Sequence, residues 1–182
     1  MVTQTNASVA SRPMQLRLIA LGHRVVHRLT RGRYGSLEPG KHAPQGRVLK
    51  VITKVHLRLY AWTGGIVGGN AGGLPTLLLT TIGRKSGEAR TVPLPYFAHG
   101  DAFLVVASFA GNAKDPAWYQ NLVANPDVRL QVGFRKTAAR ATVAPGEERR
   151  ASWSAITASS PMYADYQRVT EREIPVVVLT PR

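Results

Sequence analysis

The chain has 182 residues, 44% of them hydrophobic and 19% charged, enough for one core and an appendage. It contains no cysteine, which excludes disulfides, thiolate metal ligands and a cysteine nucleophile. The net charge of +14 is uneven: residues 1–62 hold eleven Lys/Arg against the single acid Glu38, a net of +10, and residues 63–182 only +4.

Such asymmetry points to a polyanionic partner for the N-terminal part, whether membrane surface, nucleic acid or acidic ligand. Residues 1–12 are small and polar and are expected to carry no fixed structure. From Met14 to Leu29 the pattern is helical, with Met14, Leu18, Leu21, Val25 and Leu29 on one stripe and Arg17, Arg24, Arg28 and Arg31 on the other face. Residues 31–45, with three glycines and two prolines, read as a linker. A second amphipathic helix is expected over Val48–Trp62, stopped by Thr63-Gly64-Gly65, and residues 64–73 form a glycine-rich loop.

The period then becomes that of strands. Leu77–Ile82 and Thr91–Phe97 flank the turn residues Arg84-Lys85-Ser86-Gly87, as in a β-hairpin. His99-Gly100-Asp101 turns the chain into a strand over Ala102–Ser108. After the loop 109–114 a short helix is expected, with Asp115 as N-cap and Pro116 at its first position, ended by Asn125-Pro126-Asp127. Strands Val128–Val132 and Thr137–Val143, a helix near Glu147–Ser159 and a strand Ile174–Leu179 complete the order. Hairpin-linked strands with few helices argue for an antiparallel barrel, mainly β with α, rather than a parallel α/β sheet. No apolar run approaches the roughly 20 residues of a membrane span, and no secretory signal opens the chain, so a cytoplasmic location is expected.

Four segments carry candidate chemistry. The turn with Arg84, Lys85 and Ser86, and Arg90 close behind, places three cations and a hydroxyl where phosphate or carboxylate is well received, although a solvated basic turn looks the same. Ser108 ends an apolar strand beside Gly111 and Asn112, a common place for ligand contact and equally for a strand stop. Trp118 and Asn121 share a helix face and suit an aromatic ring with polar edges, or a core tryptophan. Tyr163 and Tyr166, three apart, can line an apolar pocket and donate a proton, or pack beneath the last strand. The histidines His23, His27, His42, His56 and His99 have no metal-ligand spacing, so no metal is expected. No dinucleotide fingerprint, serine elbow or nucleic-acid motif is present.

Taken together, LLLTTIGRKSGEARTVPLP over Leu77–Pro95, VVAS ending at Ser108, PAWYQNLVANP over Pro116–Pro126 and PMYADYQRVTEREIPVVVLTP near the C-terminus resemble the deazaflavin-dependent nitroreductases, actinobacterial enzymes that use coenzyme F420. The similarity runs in unbroken order from about Leu57 to Pro181. It implies a split β-barrel like that of FMN-binding oxidases over residues 46–182, with residues 1–45 a basic extension. It also implies that Arg84, Lys85, Ser86 and Arg90 hold the phosphate and glutamates of the cofactor tail. Thr91, Val92, Pro93, Leu94 and Pro95 would line the cofactor, with Val106, Ala107, Ser108 and Phe109. Ala117, Trp118, Tyr119, Gln120 and Asn121 would add contacts. Tyr163 and Tyr166 would face the acceptor, Tyr163 touching the cofactor too. The chain departs from its relatives at Phe109, where they often carry lysine, and at Ser160, where they carry a third tyrosine.

The expected reaction is hydride transfer from reduced F420 to an apolar conjugated acceptor, a quinone such as menaquinone first, a nitroaromatic or enone next. Ser108, Tyr163 or Tyr166 would stabilise or protonate the developing anion. An FMN reductase on the same fold and a non-catalytic lipid or fatty-acid carrier are the rival readings. The helix within residues 14–31 is expected to lie on the inner face of the cytoplasmic membrane, its arginines meeting anionic lipid, the alternative being that its stripe packs on the barrel.

Overall fold

The computed structural model describes residues 55, 57–71 and 73–182. The expected helix over Met14–Leu29, the linker 31–45 and the first turns of the helix expected from Val48 lie outside them. Helix α1 covers residues 57–63 and gives way at Gly64 and Gly65, both at positive φ.

Eight strands follow: β1 (Asn70–Ala71), β2 (Leu74–Ile82), β3 (Ala89–Pro95), β4 (Phe97–His99), β5 (Ala102–Val106), β6 (Asp127–Val132), β7 (Arg135–Val143) and β8 (Val176–Pro181). Helix α2 (Ala117–Ala124) enters between β5 and β6, and α3 (Gly146–Ser159) and α4 (Met162–Arg168) between β7 and β8. Every pairing is antiparallel, in the order β1-β2-β6-β7-β8-β5-β4, with β3 pairing β2 off that path.

Three strands separate β2 from β5 in this order, yet Leu77, Leu79 and Val105 share one core with Leu130, Ala139 and Leu179. The sheet therefore curls around that core, which is the expected split barrel. Fully burying each leucine or valine among them contributes roughly 1.5–3 kcal/mol. The opposite face of β5 and β8 carries Leu104, Val106, Val176 and Val178, and on these pack Ile156 of α3 and Tyr163 of α4 as a second cluster. Strand alternation thus feeds two cores from single strands.

Three local expectations change. The strand expected over Thr91–Phe97 breaks at Tyr96: residues up to Pro95 pair with β2, while Phe97–His99 pair with β5. Strand β3 pairs with β2 alone, and on such an edge Pro93 and Pro95 cost no ladder bond. Asp115 does not cap α2; Pro116 is the N-cap, and the Asp115 carboxylate pairs with Arg172. Helix α4 was not expected, since seven residues are too few to show a helical period.

Register gathers the loops of interest. Thr80 lies opposite Arg129 on β6, Asp127 opposite Arg140 on β7, Val143 opposite Val177 on β8, and Val106 opposite Val176. The C-terminal ends of β2, β5 and β7 and the N-terminal ends of β6 and β8 therefore lie at one end of the sheet. That end receives the 83–88 turn, the segment after Ser108, α2 and the segment leading into β8.

Candidate active site

The hairpin turn closes through Gly87 N–H to the Gly83 carbonyl at 2.7 Å and Gly83 N–H to the Glu88 carbonyl at 2.8 Å, with Gly87 at φ +69°. Arg84 and Lys85 are exposed, and neither has an acidic partner among the described residues. Arg90 is different: its guanidinium pairs with Glu88 at 2.6 Å, so one of the three expected cations is already answered. The Ser86 hydroxyl accepts the Glu88 N–H at 3.3 Å and helps shape the turn.

Helix α2 anchors that turn. Buried Asn121 accepts the Arg84 N–H at 3.1 Å and donates to the Thr81 hydroxyl at 3.2 Å. Trp118, on the same helix face, is buried among the barrel residues Leu77, Leu79 and Val105 and meets Tyr119 edge-on. Its ring is part of the core. Ala117 is exposed, and Tyr119 and Gln120 are half-buried, with the Gln120 amide donating to the Asp115 carbonyl at 3.1 Å.

The stretch 91–95 does not present one face. Val92 and Leu94 lie opposite Leu79 and Leu77 and pack on the barrel core, whereas Thr91, Pro93 and Pro95 lie opposite Thr80, Leu78 and Thr76 on the other side. The hydroxyls of Thr91 and Thr80 meet there at 2.9 Å. A groove of about 610 Å³ runs between α1 and this outer face, with Arg58, Arg129 and Lys136 among its lining. Of the residues singled out from sequence only Thr91 lines it.

The other half of the site follows β5. Val106 faces the second cluster and Ala107 the barrel core. Ser108 is buried, and Phe109 and Ala110 adopt positive φ, 47° and 52°, while the Phe109 side chain is 38% exposed. This conformation is uncommon for residues other than glycine and concentrates at functional sites. The segment is held by Arg172, which lies within the PMYADYQRVTEREIPVVVLTP run but was given no role from the sequence. Its Nη2 donates to the carbonyls of Ala107 and Ser108 at 3.0 and 2.8 Å, its Nε to that of Asn112 at 2.8 Å, and its Nη1 to Asp115 at 2.9 Å. The sequence signal was available in principle, as a lone arginine between acids just before a buried strand.

Helix α4 presents Tyr163 and Tyr166, 6.1 Å apart and edge-on. Tyr163 is buried against Phe97, with Leu104 and Val106 in the same cluster, and burial, with Tyr166 adding to it, pushes its hydroxyl up to about 12. Tyr166 is half-buried and is raised by burial and then by Asp165. Both phenols are protonated donors at neutral pH. Ser160 lies just outside α4 as the C-cap of α3. Among the described residues no cluster of His, Asp and Glu could hold a metal ion.

The chain is similar to several known proteins. The family model described as F420H(2)-dependent quinone reductase matches residues 52–181. An F420H(2)-dependent quinone reductase of Mycobacterium tuberculosis is 41% identical over 135 residues, 72% of this chain and 91% of the relative. A second M. tuberculosis protein with that description is 43% identical over 112 residues, 60% of this chain and 92% of the relative. The solved structure of an F420-H2 dependent reductase is 40% identical, with a TM-score of 0.53 over 58% of this chain and 93% of that one. A domain-swapped dimer is 33% identical, with a TM-score of 0.54 over 72% of this chain and 98% of that one.

Proposed function

The chain belongs to the F420H(2)-dependent quinone reductase family, and from that premise we propose that its site binds reduced F420 at the 83–88 turn and reduces a quinone, menaquinone among them. It is an oxidoreductase that uses coenzyme F420, which when bound supplies the hydride. The observation that carries the site reading is the pair of cations Arg84 and Lys85, without an acidic partner among the described residues, on a turn whose backbone is tied to Asn121. Two exposed cations on a fixed turn suit a tail bearing phosphate and carboxylates, because a preformed site spends little entropy on ordering.

Each group has a task. Arg84 and Lys85 hold the tail, and Asn121 keeps their turn in register with α2. Ser108 and Phe109, just beyond β5, set one wall for the ring system. Tyr166, less covered than Tyr163, is the phenol better placed to give a proton to the reduced acceptor, while Tyr163 supports it from beneath. Nitroaromatic and enone acceptors fit the same chemistry of hydride and proton addition to a flat conjugated molecule.

The peripheral membrane location rests on the sequence of residues 14–31, which lie outside the described residues. Among those described, no helix is long and apolar enough to cross a membrane. The test of function is a titration of oxidised F420 into the protein, following its fluorescence, together with quinone-dependent oxidation of reduced F420. Micromolar binding and turnover with menaquinone analogues are expected. Bound FMN with no response to F420 would overturn the reading.

A further inference from the structure

We propose that Arg172 is a positioning residue for the F420 reaction, fixing the 107–115 segment and the tyrosine-bearing helix α4 in one relation. This rests on the site reading above, in which that segment walls the cofactor and α4 meets the acceptor.

The two parts come from distant stretches of chain and touch closely. At Gly111, φ +75°, an added Cβ would lie 2.8 Å from the Tyr166 carbonyl oxygen and 2.3 Å from Cγ2 of Val169, so α4 and its end rest directly on the loop backbone. The loop is not at ease by itself, since Phe109 and Ala110 are consecutive left-handed residues that L side chains hold only when surroundings dictate it. Arg172 supplies what dictates it. Its side chain is 15% exposed, and its guanidinium spends four donors on Ala107, Ser108, Asn112 and Asp115, spanning the loop from its entry to the start of α2.

Arg172 is itself held from α4. The Gln167 side chain donates to the carbonyls of Arg172 at 2.8 Å and Thr170 at 3.3 Å, and accepts the Ile174 N–H at 2.9 Å. A chain of contacts therefore runs from α4 through Gln167 and Arg172 to the residues that follow Ser108. The planar fork of arginine is what the arrangement uses, because four acceptors lie around one plane and an ammonium cannot reach them all.

The experiment compares the full chain with Arg172→Lys, Arg172→Ala and Asp115→Asn. Measured are F420 affinity, kcat and KM for a quinone, melting temperature, and hydrogen exchange of the amides in 107–115. Arg172→Lys and Arg172→Ala are expected to lower kcat/KM by 10-fold to 100-fold, on the order of a small misplacement at a preorganised site. Millimolar guanidinium, but not methylammonium, is expected to restore part of the loss in Arg172→Ala. Asp115→Asn keeps three carbonyl contacts and is expected to lose less while speeding loop exchange, so it serves if the alanine variant does not fold. A lower melting temperature with wild-type kcat/KM and affinity would make Arg172 merely structural and overturn the inference, as would Asp115→Asn with unchanged exchange and kinetics. Failure of the wild-type chain to bind F420 sinks the site reading instead, and the hydrogen-exchange comparison, which needs no cofactor, still reads the clamp.

Discussion

Asn121 and Arg84 are 37 residues apart in sequence, and the carboxamide of the first accepts the backbone N–H of the second at 3.1 Å. The same carboxamide donates to Thr81, so a single buried side chain sets the turn that carries Arg84 and Lys85. Replacing Asn121 by leucine leaves a buried hydroxyl and an N–H without partners and is expected to cost about 1–3 kcal/mol of stability. Asn121→Asp keeps the acceptor but brings a negative charge to the turn, so F420 affinity should fall by more than stability does. Denaturant unfolding beside F420 titration checks both. Equal F420 affinity in all three proteins would remove Asn121 from the site.

Arg84→Ala with Lys85→Ala is expected to raise the F420 dissociation constant while leaving the melting temperature in place, since both side chains are exposed. Affinity of the wild type should weaken with salt, because exposed charges are screened over about 8–10 Å. Arg90→Ala should matter less, its guanidinium being engaged by Glu88. Titrations with F420 of different glutamate number provide the check: a wild type indifferent to tail length would mean that the turn does not hold the tail.

Tyr163 separates chemistry from stability through pH. Its folded value, about 12, lies above the ordinary 10.0, so its contribution is complete below pH 10 and is lost as pH rises from 10 to 12. That difference amounts to about 3 kcal/mol at 1.36 kcal/mol per pH unit. Tyr163→Phe, which cannot ionise, should therefore lose less stability than wild type between pH 8 and pH 11.5. Turnover at pH 6–9 should show no inflection from this phenol and should drop in the variant. An unaltered quinone rate in Tyr163→Phe would leave the residue a wall of the second core and nothing more.

Gly111→Ala places a methyl against the Tyr166 carbonyl oxygen and the Val169 side chain at a positive φ of 75°. Overpacking of this kind is expected to cost about 1–3 kcal/mol, and because the strain falls between the loop and α4, quinone turnover should fall with it. Adding Val169→Ala relieves the side-chain clash but not the backbone one, so recovery should be partial. Full recovery of turnover in the double variant would show that α4 adjusts freely.

Local chemistry was enough to place most strands. The short apolar and β-branched run Leu77–Ile82 and the Gly83–Gly87 turn specify a hairpin from contacts a few residues long, and the cysteine-free composition removes whole classes of mechanism. The basic turn was legible as a candidate because Arg84, Lys85 and Arg90 are neighbours in the chain. What decided their standing was tertiary: Glu88 folds back on Arg90, and Asn121 arrives from α2 to fix the backbone of Arg84. Trp118 and Asn121 share a helix face as spacing required, yet only packing shows the indole in the barrel core and the amide at the turn. Likewise the break at Tyr96 exists because two halves of one apolar run pair with different strands, a choice made by sheet curvature and not by propensity. Arg172 is the clearest case. Its acceptors lie about 60 residues away in sequence, and no local pattern can announce a partner that only chain closure brings within 3 Å.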